Sequence, residues 1–390
     1  MHKESLPPDY DPGLLHIALV LTGLLSRVSP LALTPAWLAL AAIACWPWTR
    51  PGLAPLVAAL AFLFTVTDWA GLALLPRAGR SFGPVTPPLL ALALARTALI
   101  FVIGLAWATW PGLALTAALN LALSAVFVYA TWIEPFHVGV TRAELRSPKL
   151  GGHTPLRLLH ITDLHIEGIT PREHELLRLV GELSPDAILI TGDYLSISSV
   201  HQPSAQAQAR DLLAHLCAVA GPQCPVYAVT GSPPVDIPGI VPAIFEGLPI
   251  TWLLDEVEEV NINGHTIELV GLRCIHQRHA DGERLRRLLG GSRGHTFTLL
   301  LHHSPDLMPE AARLGIDLYV CGHTHGGQIR LPFFGALVTS SDFWKRYEMG
   351  RYQEGNTVLY VSRGLGVEGM GAPRARFLAP PEIVLWTLTA

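Results

Sequence analysis

Cys321-Gly322-His323-Thr324-His325-Gly326-Gly327-Gln328 sets two imidazoles two positions apart on a glycine-rich turn. The apolar run before it, residues 316–320, is broken only by Asp317 and reads as a buried strand. Neutral imidazoles on a stiff turn suit Zn, Fe, Mn or related ions. The glycines let backbone and solvent come close, as a bulky charged substrate requires. A histidine-bearing turn without a ligand has the same local pattern, so the rest of the chain must decide.

Comparable endings recur. Residues 156–162 read as a strand ending at Asp163-Leu164-His165, and residues 187–191 as one ending at Gly192-Asp193. Residues 225–230 end at Gly231-Ser232-Pro233-Pro234, and residues 297–301 at His302-His303. In α/β sheets the ligand site lies outside the carboxyl ends of the strands, so these side chains should converge. Two carboxylates and four imidazoles form the ligand inventory of a two-metal site. Two ions about 3.5–4 Å apart share a bridging carboxylate and a hydroxide, and clamp a phosphoryl group during in-line attack.

The elements between these strands are legible. Thr170-Pro171-Arg172-Glu173 is a capping box with proline at the first helical position. The helix it opens carries Leu176, Leu177, Val180 and Leu183 on one face. Residues 205–219 read as a helix, 253–272 as strands around the Asn263-Gly264 turn, and 284–289 as helical. Ser304-Pro305 opens another helix, and 357–362 and 382–388 read as late strands.

The chain has 390 residues, 50% hydrophobic and only 15% charged, which points to a membrane part joined to a soluble one. A net charge of −4 argues against a general nucleic-acid binder, and none is expected as a partner. Five scattered cysteines imply no disulfide framework and fit a reducing compartment. Residues 14–132 are rich in Ala, Leu and Val. The clearest spans are 53–75, 88–110 and 111–132, each near the roughly 20 residues that cross a bilayer core. Residues 31–48 are a fourth candidate, and 14–25 a fifth span or an interfacial helix. A cleaved signal peptide is not expected, because apolar spans continue far beyond any cleavage site. Asp68 and Arg96 fall at similar depth in neighbouring spans, and a lone charge there costs roughly 2.5–3.5 kcal/mol, so a contact between them is expected. Lys and Arg in the short loops favour the side that carries the soluble domain, which should be cytoplasmic. The expected organisation is a multi-pass inner-membrane protein. Residues 1–132 form four or five transmembrane helices, 133–152 a polar connector and 153–390 the soluble domain.

Residues 156–390 resemble the calcineurin-like metallophosphoesterases, in particular their membrane-tethered bacterial branch. The resemblance rests on Ile161-Thr162-Asp163-Leu164-His165, Thr191-Gly192-Asp193, Leu301-His302-His303-Ser304-Pro305-Asp306 and residues 322–332. The tail segments 360–366 and 380–383 fit it too. It implies an N-terminal α-helical transmembrane bundle followed by an α/β metallophosphoesterase domain, a four-layer α/β/β/α sandwich. It implies two divalent ions, of Mn, Fe or Zn type. Asp163, His165 and His325 would hold one, Asp193 would bridge, and His303 and His323 would hold the second. Asp193 and His323 would be catalytic. The family's His-x-Pro spacing selects His303 over His302, which would face the sheet or act behind the ligands.

One departure bears on activity. After its third strand the family places Gly-Asn-His, whose Asn ligates the second ion and whose His protonates the leaving group or steadies the transition state. Here the chain reads Gly231-Ser232-Pro233-Pro234. Ser232 or Asp236 could supply the missing oxygen, and Arg330 and Arg363 could bind phosphate. The Phe343-Trp344 pair beside Lys345-Arg346 suits either an apolar lip or the core. The reading is a membrane-anchored phosphoesterase cleaving a phosphodiester or pyrophosphate bond in a phosphorylated small-molecule or lipid substrate. The alternative is a catalytically impaired relative that serves as a metal-containing binding or regulatory module.

Overall fold

The computed structural model describes residues 21, 23–151, 154–290, 295–369 and 374–390. The described residues separate into two units: a helical one up to Ile133 with Gly369 and Arg374, and an α/β one drawn from Glu134–Glu368 and Ala375–Ala390.

The helical unit contains α1 (Thr34–Cys45), α2 (Leu53–Leu74), α3 (Thr86–Trp107) and α4 (Trp110–Val128). Among the described residues three helices are long and apolar enough to cross a membrane: Leu53–Leu74, Thr86–Trp107 and Trp110–Phe136. A helix of 22 residues is about 33 Å long, matched to a hydrocarbon core of about 30 Å. The fourth candidate, 31–48, forms a shorter apolar helix, Pro30–Cys45. The fifth, 14–25, lies mostly outside the described residues. The expected contact between Asp68 and Arg96 is present. Arg96 Nε and Nη2 donate to the two Asp68 oxygens, each at 2.7 Å. The remaining guanidinium donors reach the Asn120 carbonyl at 3.0 Å and Ser124 Oγ at 2.9 Å. The group lies 4.8 Å from the Phe64 ring centroid.

Among the described residues the α/β unit has fourteen strands. The first five are β1 (Gly139–Arg146), β2 (Leu156–Ile161), β3 (Ala187–Ile190), β4 (Val226–Ala228) and β5 (Ile250–Trp252). Next come β6 (Glu256–Ile262), β7 (His265–Gly271), β8 (Phe297–Leu301) and β9 (Leu318–Cys321). The short β10 (Arg330–Leu331) and β11 (Gly335–Ala336) precede β12 (Gly350–Glu354), β13 (Thr357–Val361) and β14 (Glu382–Thr389). One six-stranded sheet has the order β1-β14-β2-β3-β4-β5, the other β12-β13-β9-β8-β7-β6, and β10 pairs with β11 alone. The stretch 133–152, expected as a connector, supplies the edge strand β1, which runs parallel to β14 from Gly139 opposite Glu382.

Strand periodicity of two explains the layering. Leu156 and Leu158 of β2 point into the core between the sheets, with Leu299, Val358 and Trp386. Leu159 and Ile161 point the other way. They pack under α5 (Pro171–Leu183), α6 (Pro203–Ala220) and the short α7 (Val241–Phe245), against Leu176, Val180, Leu213 and Ile244. Leu300 and Leu359 likewise point outward to α8 (Arg278–Leu289) and α9 (Met308–Leu314), meeting Leu285 and Met308. The result is the α/β/β/α sandwich. The expected capping box opens α5: Thr170 N donates to Glu173 Oε2 at 2.7 Å, and Thr170 Oγ1 accepts from Arg172 N.

Candidate metal centre

The strand ends are laced together by backbone. Asp163 N donates to Gly192 O and His165 N to Asp193 O, each at 3.0 Å, and His303 O accepts from Gly322 N at 2.9 Å. Asp163, His165, Asp193, His323 and His325 all take positive φ, a strained choice for side-chain-bearing residues. Glycines make room for the carboxylates. A Cβ at Gly322 would lie 2.0 Å from Asp163 Oδ2, and one at Gly231 2.1 Å from Asp193 Oδ1.

The side chains form overlapping groups. Donor atoms of Asp163, His165 and His325 lie within 4.8 Å of one another, as do those of Asp163, Asp193 and His303. His165 Nε2 faces His325 Nε2 at 3.0 Å and Asp193 Oδ2 at 3.5 Å. His303 Nε2 is 3.2 Å from Asp193 Oδ2. The outward nitrogens are anchored. His303 Nδ1 meets Thr191 O at 2.8 Å, His323 Nε2 meets Ser340 O at 2.9 Å, and His165 Nδ1 meets Glu368 Oε2 at 2.7 Å. Such anchors fix tautomer and ring angle, so one nitrogen of each ring is left facing inward.

The electrostatics follow from packing. Burial pulls His303 down, but Asp193 and Asp163 outweigh it and hold its pKa at about 9. Burial also opposes charge on His165, yet Glu368 and the two aspartates raise it to about 9. Burial alone would raise Asp193, but His303 and His165 hold it below the usual carboxylate range. Burial pushes Asp163 up and His323 down, the latter to about 4 with His303 adding to the effect. His325 is lowered by burial, His165 and Arg376. Hard carboxylate oxygens and imidazole nitrogens converging in a buried cradle fit divalent cations of Mn, Fe or Zn type.

The other candidates have different partners. Asp236 is buried, and its oxygens accept from Asp193 N at 2.8 Å, Gly231 N at 2.6 Å and Tyr194 N at 3.0 Å. It ties the β3 and β4 loops together, and burial beside Asp193 raises its pKa to about 7. Ser232 does reach the cluster, with Oγ 3.2 Å from His303 Nε2. Arg330 pairs with Glu348 at 2.9 Å and Arg363 with Glu382 at 2.7 Å. His302 turns away, its Nδ1 at 3.2 Å from Leu272 O. Of the aromatic pair, Phe343 packs on the core and Trp344 is exposed.

Two residues that no motif marks belong to this region. Glu368 stands behind His165. His276, in the loop that follows β7, joins His303 and His323 in a third group with donors within 4.8 Å. The strand-end rule applied to β7 would have found it. The sequence offers no comparable signal for Glu368.

Residues 156–327 match the family model described as calcineurin-like phosphoesterase. A metallophosphoesterase of Bacillus subtilis, YkuE, is 30% identical over 280 residues, 70% of this chain and 93% of that protein. The UDP-2,3-diacylglucosamine pyrophosphatase LpxG of Chlamydia trachomatis is 26% identical over 331 residues, covering 70% of this chain and 96% of its own. The Escherichia coli phosphodiesterase YaeI is 28% identical over 255 residues, 64% of this chain and 89% of its own.

Proposed function

Since the chain belongs to the calcineurin-like phosphoesterase family, we propose that it is a membrane-anchored hydrolase of a phosphodiester or pyrophosphate bond. The convergence of Asp163, Asp193, His165, His303, His323 and His325 at the strand ends carries this reading. In it, Asp163, His165 and His325 would hold one divalent ion, His303 and His323 would hold a second, and Asp193 would serve both. Such ions would supply an activated water and neutralise charge on the phosphoryl oxygens. The chain's own part is positional. Glu368, Thr191 O and Ser340 O aim the imidazoles, and the backbone amides of Ser232 and His323 steady Asp193 and Asp163.

Two observations support a lipid- or nucleotide-linked substrate. LpxG, by its name, acts on a diacylated sugar nucleotide. The segment that supplies Ser340 also exposes Leu331, Phe333, Phe334 and Trp344, an apolar border suited to acyl chains. Lys345 Nζ lies 3.2 Å from the Phe334 ring centroid and places a cation beside that border. The three apolar helices would hold the hydrolase at the bilayer, with its domain on the cytoplasmic face.

The test is hydrolysis of bis(p-nitrophenyl) phosphate with Mn²⁺ by the full-length protein in detergent, beside Asp193→Ala. Metal-dependent turnover that Asp193→Ala reduces to the protein-free rate supports the proposal. Equal rates for the two proteins would favour the binding-module reading suggested by Gly231-Ser232-Pro233.

A further inference from the structure

The family pattern has an asparagine ligand where this chain has Ser232, whose hydroxyl is a weak donor to a metal. His276 lies beside that position. Its Nε2 is 3.0 Å from Ser232 Oγ, the same hydroxyl that stands 3.2 Å from His303 Nε2 and 3.3 Å from Asp193 Oδ2. Its ring stacks on His323 with centroids 4.3 Å apart, and the His303 ring is 6.1 Å away. Cys274 Sγ lies beside the ring, 3.5 Å from Nδ1 and 3.9 Å from Nε2, and Nε2 is the nitrogen turned toward Ser232. The loop holds His276 at a φ of 56°, the conformation shared by five of the other donors.

We propose that His276 is the ligand that replaces the missing asparagine, so that His276, His303, His323 and Asp193 together hold the second cation. The inference rests on the two-ion reading above and deepens it. Exchanging an amide oxygen for an imidazole nitrogen changes what the position prefers. Imidazole suits Zn and Fe, whereas carbonyl and carboxylate oxygens suit Mg and Mn, so the second position should favour Zn²⁺. The substitution at Ser232 is then a relocation of a ligand from the β4 loop to the β7 loop.

Metal content tests this without reference to turnover. Full-length protein in detergent is stripped with chelator, loaded with ZnCl₂ alone, desalted and measured by elemental analysis. Wild type should retain two equivalents and His276→Ala one, with unchanged circular dichroism. Ser232→Asn in the His276→Ala background should restore the second, a rescue that a merely structural role of His276 would not give. His276→Phe, which fills the ring's volume without a donor atom, is run in parallel, so that a folded variant supplies the count. Two equivalents on the folded His276 variants, loss of both, or failure of the Asn rescue overturns the inference. A wild type that retains no zinc, and no manganese in a parallel loading with MnCl₂, overturns the two-ion reading itself, so the two failures are distinct.

Discussion

Asp68 and Asp193 are both buried carboxylates, and the chain answers them in different ways. Asp68 meets a two-pronged guanidinium in its own unit, and Arg96 gives its other donors to Asn120 and Ser124. Donors and acceptors match, and the charges cancel among α2, α3 and α4. Asp193 instead meets the amide of Ser232 and the imidazoles of His303 and His165, whose ring nitrogens belong to groups able to hold a metal ion. Asp163 and His325 repeat the pattern, with a carboxylate oxygen 3.4 Å from an imidazole nitrogen. The first arrangement is a closed structural pair, as burial of a charge in an apolar bundle demands. The second is a concentration of donors held in strained backbone, which suits a group that accepts many of them.

The comparison can be broken at the closed pair first. Asp68→Ala leaves the Arg96 charge buried without its partner, and should cost roughly 3–5 kcal/mol in unfolding in detergent. The Asp68→Leu, Arg96→Leu double variant should recover most of that, and hydrolysis should survive in it. A single variant as stable as wild type would show that Arg96 finds another partner. At the open site, Glu368→Gln should weaken His165 as a donor and lower metal affinity about 10–100-fold, read by calorimetric titration with Mn²⁺. Unchanged affinity would reduce Glu368 to a bystander. Asp236→Asn should have the smallest effect. It keeps one oxygen acceptor and frees one buried amide, which costs about 1 kcal/mol, seen as a small fall in the thermal midpoint.

The sequence speaks most clearly where local pattern and tertiary role coincide. Alternating apolar residues in β2, β8 and β13 sort themselves into inner and outer layers, and their polar endings mark where the loops meet. Asp68 and Arg96 are legible because helix geometry sets their depth. Pairing over long separations is harder to read. β1 is a half-buried edge strand bearing Arg142, Glu144 and Arg146, so its residues resemble a polar linker until β14 pairs with it. Asp236 stands close to the cluster in sequence, yet three amides from two loops take up its oxygens. His276 follows a strand end as the other donors do, whereas Glu368 acquires its place only through a loop that other elements position.

The most direct test is anomalous diffraction at the zinc edge from crystals of the full-length protein grown with Zn²⁺. The account requires two peaks, one among Asp163, His165 and His325, the other among His303, His323 and His276, with Asp193 between them. No peak at the strand ends, or peaks elsewhere in the α/β unit, would contradict it.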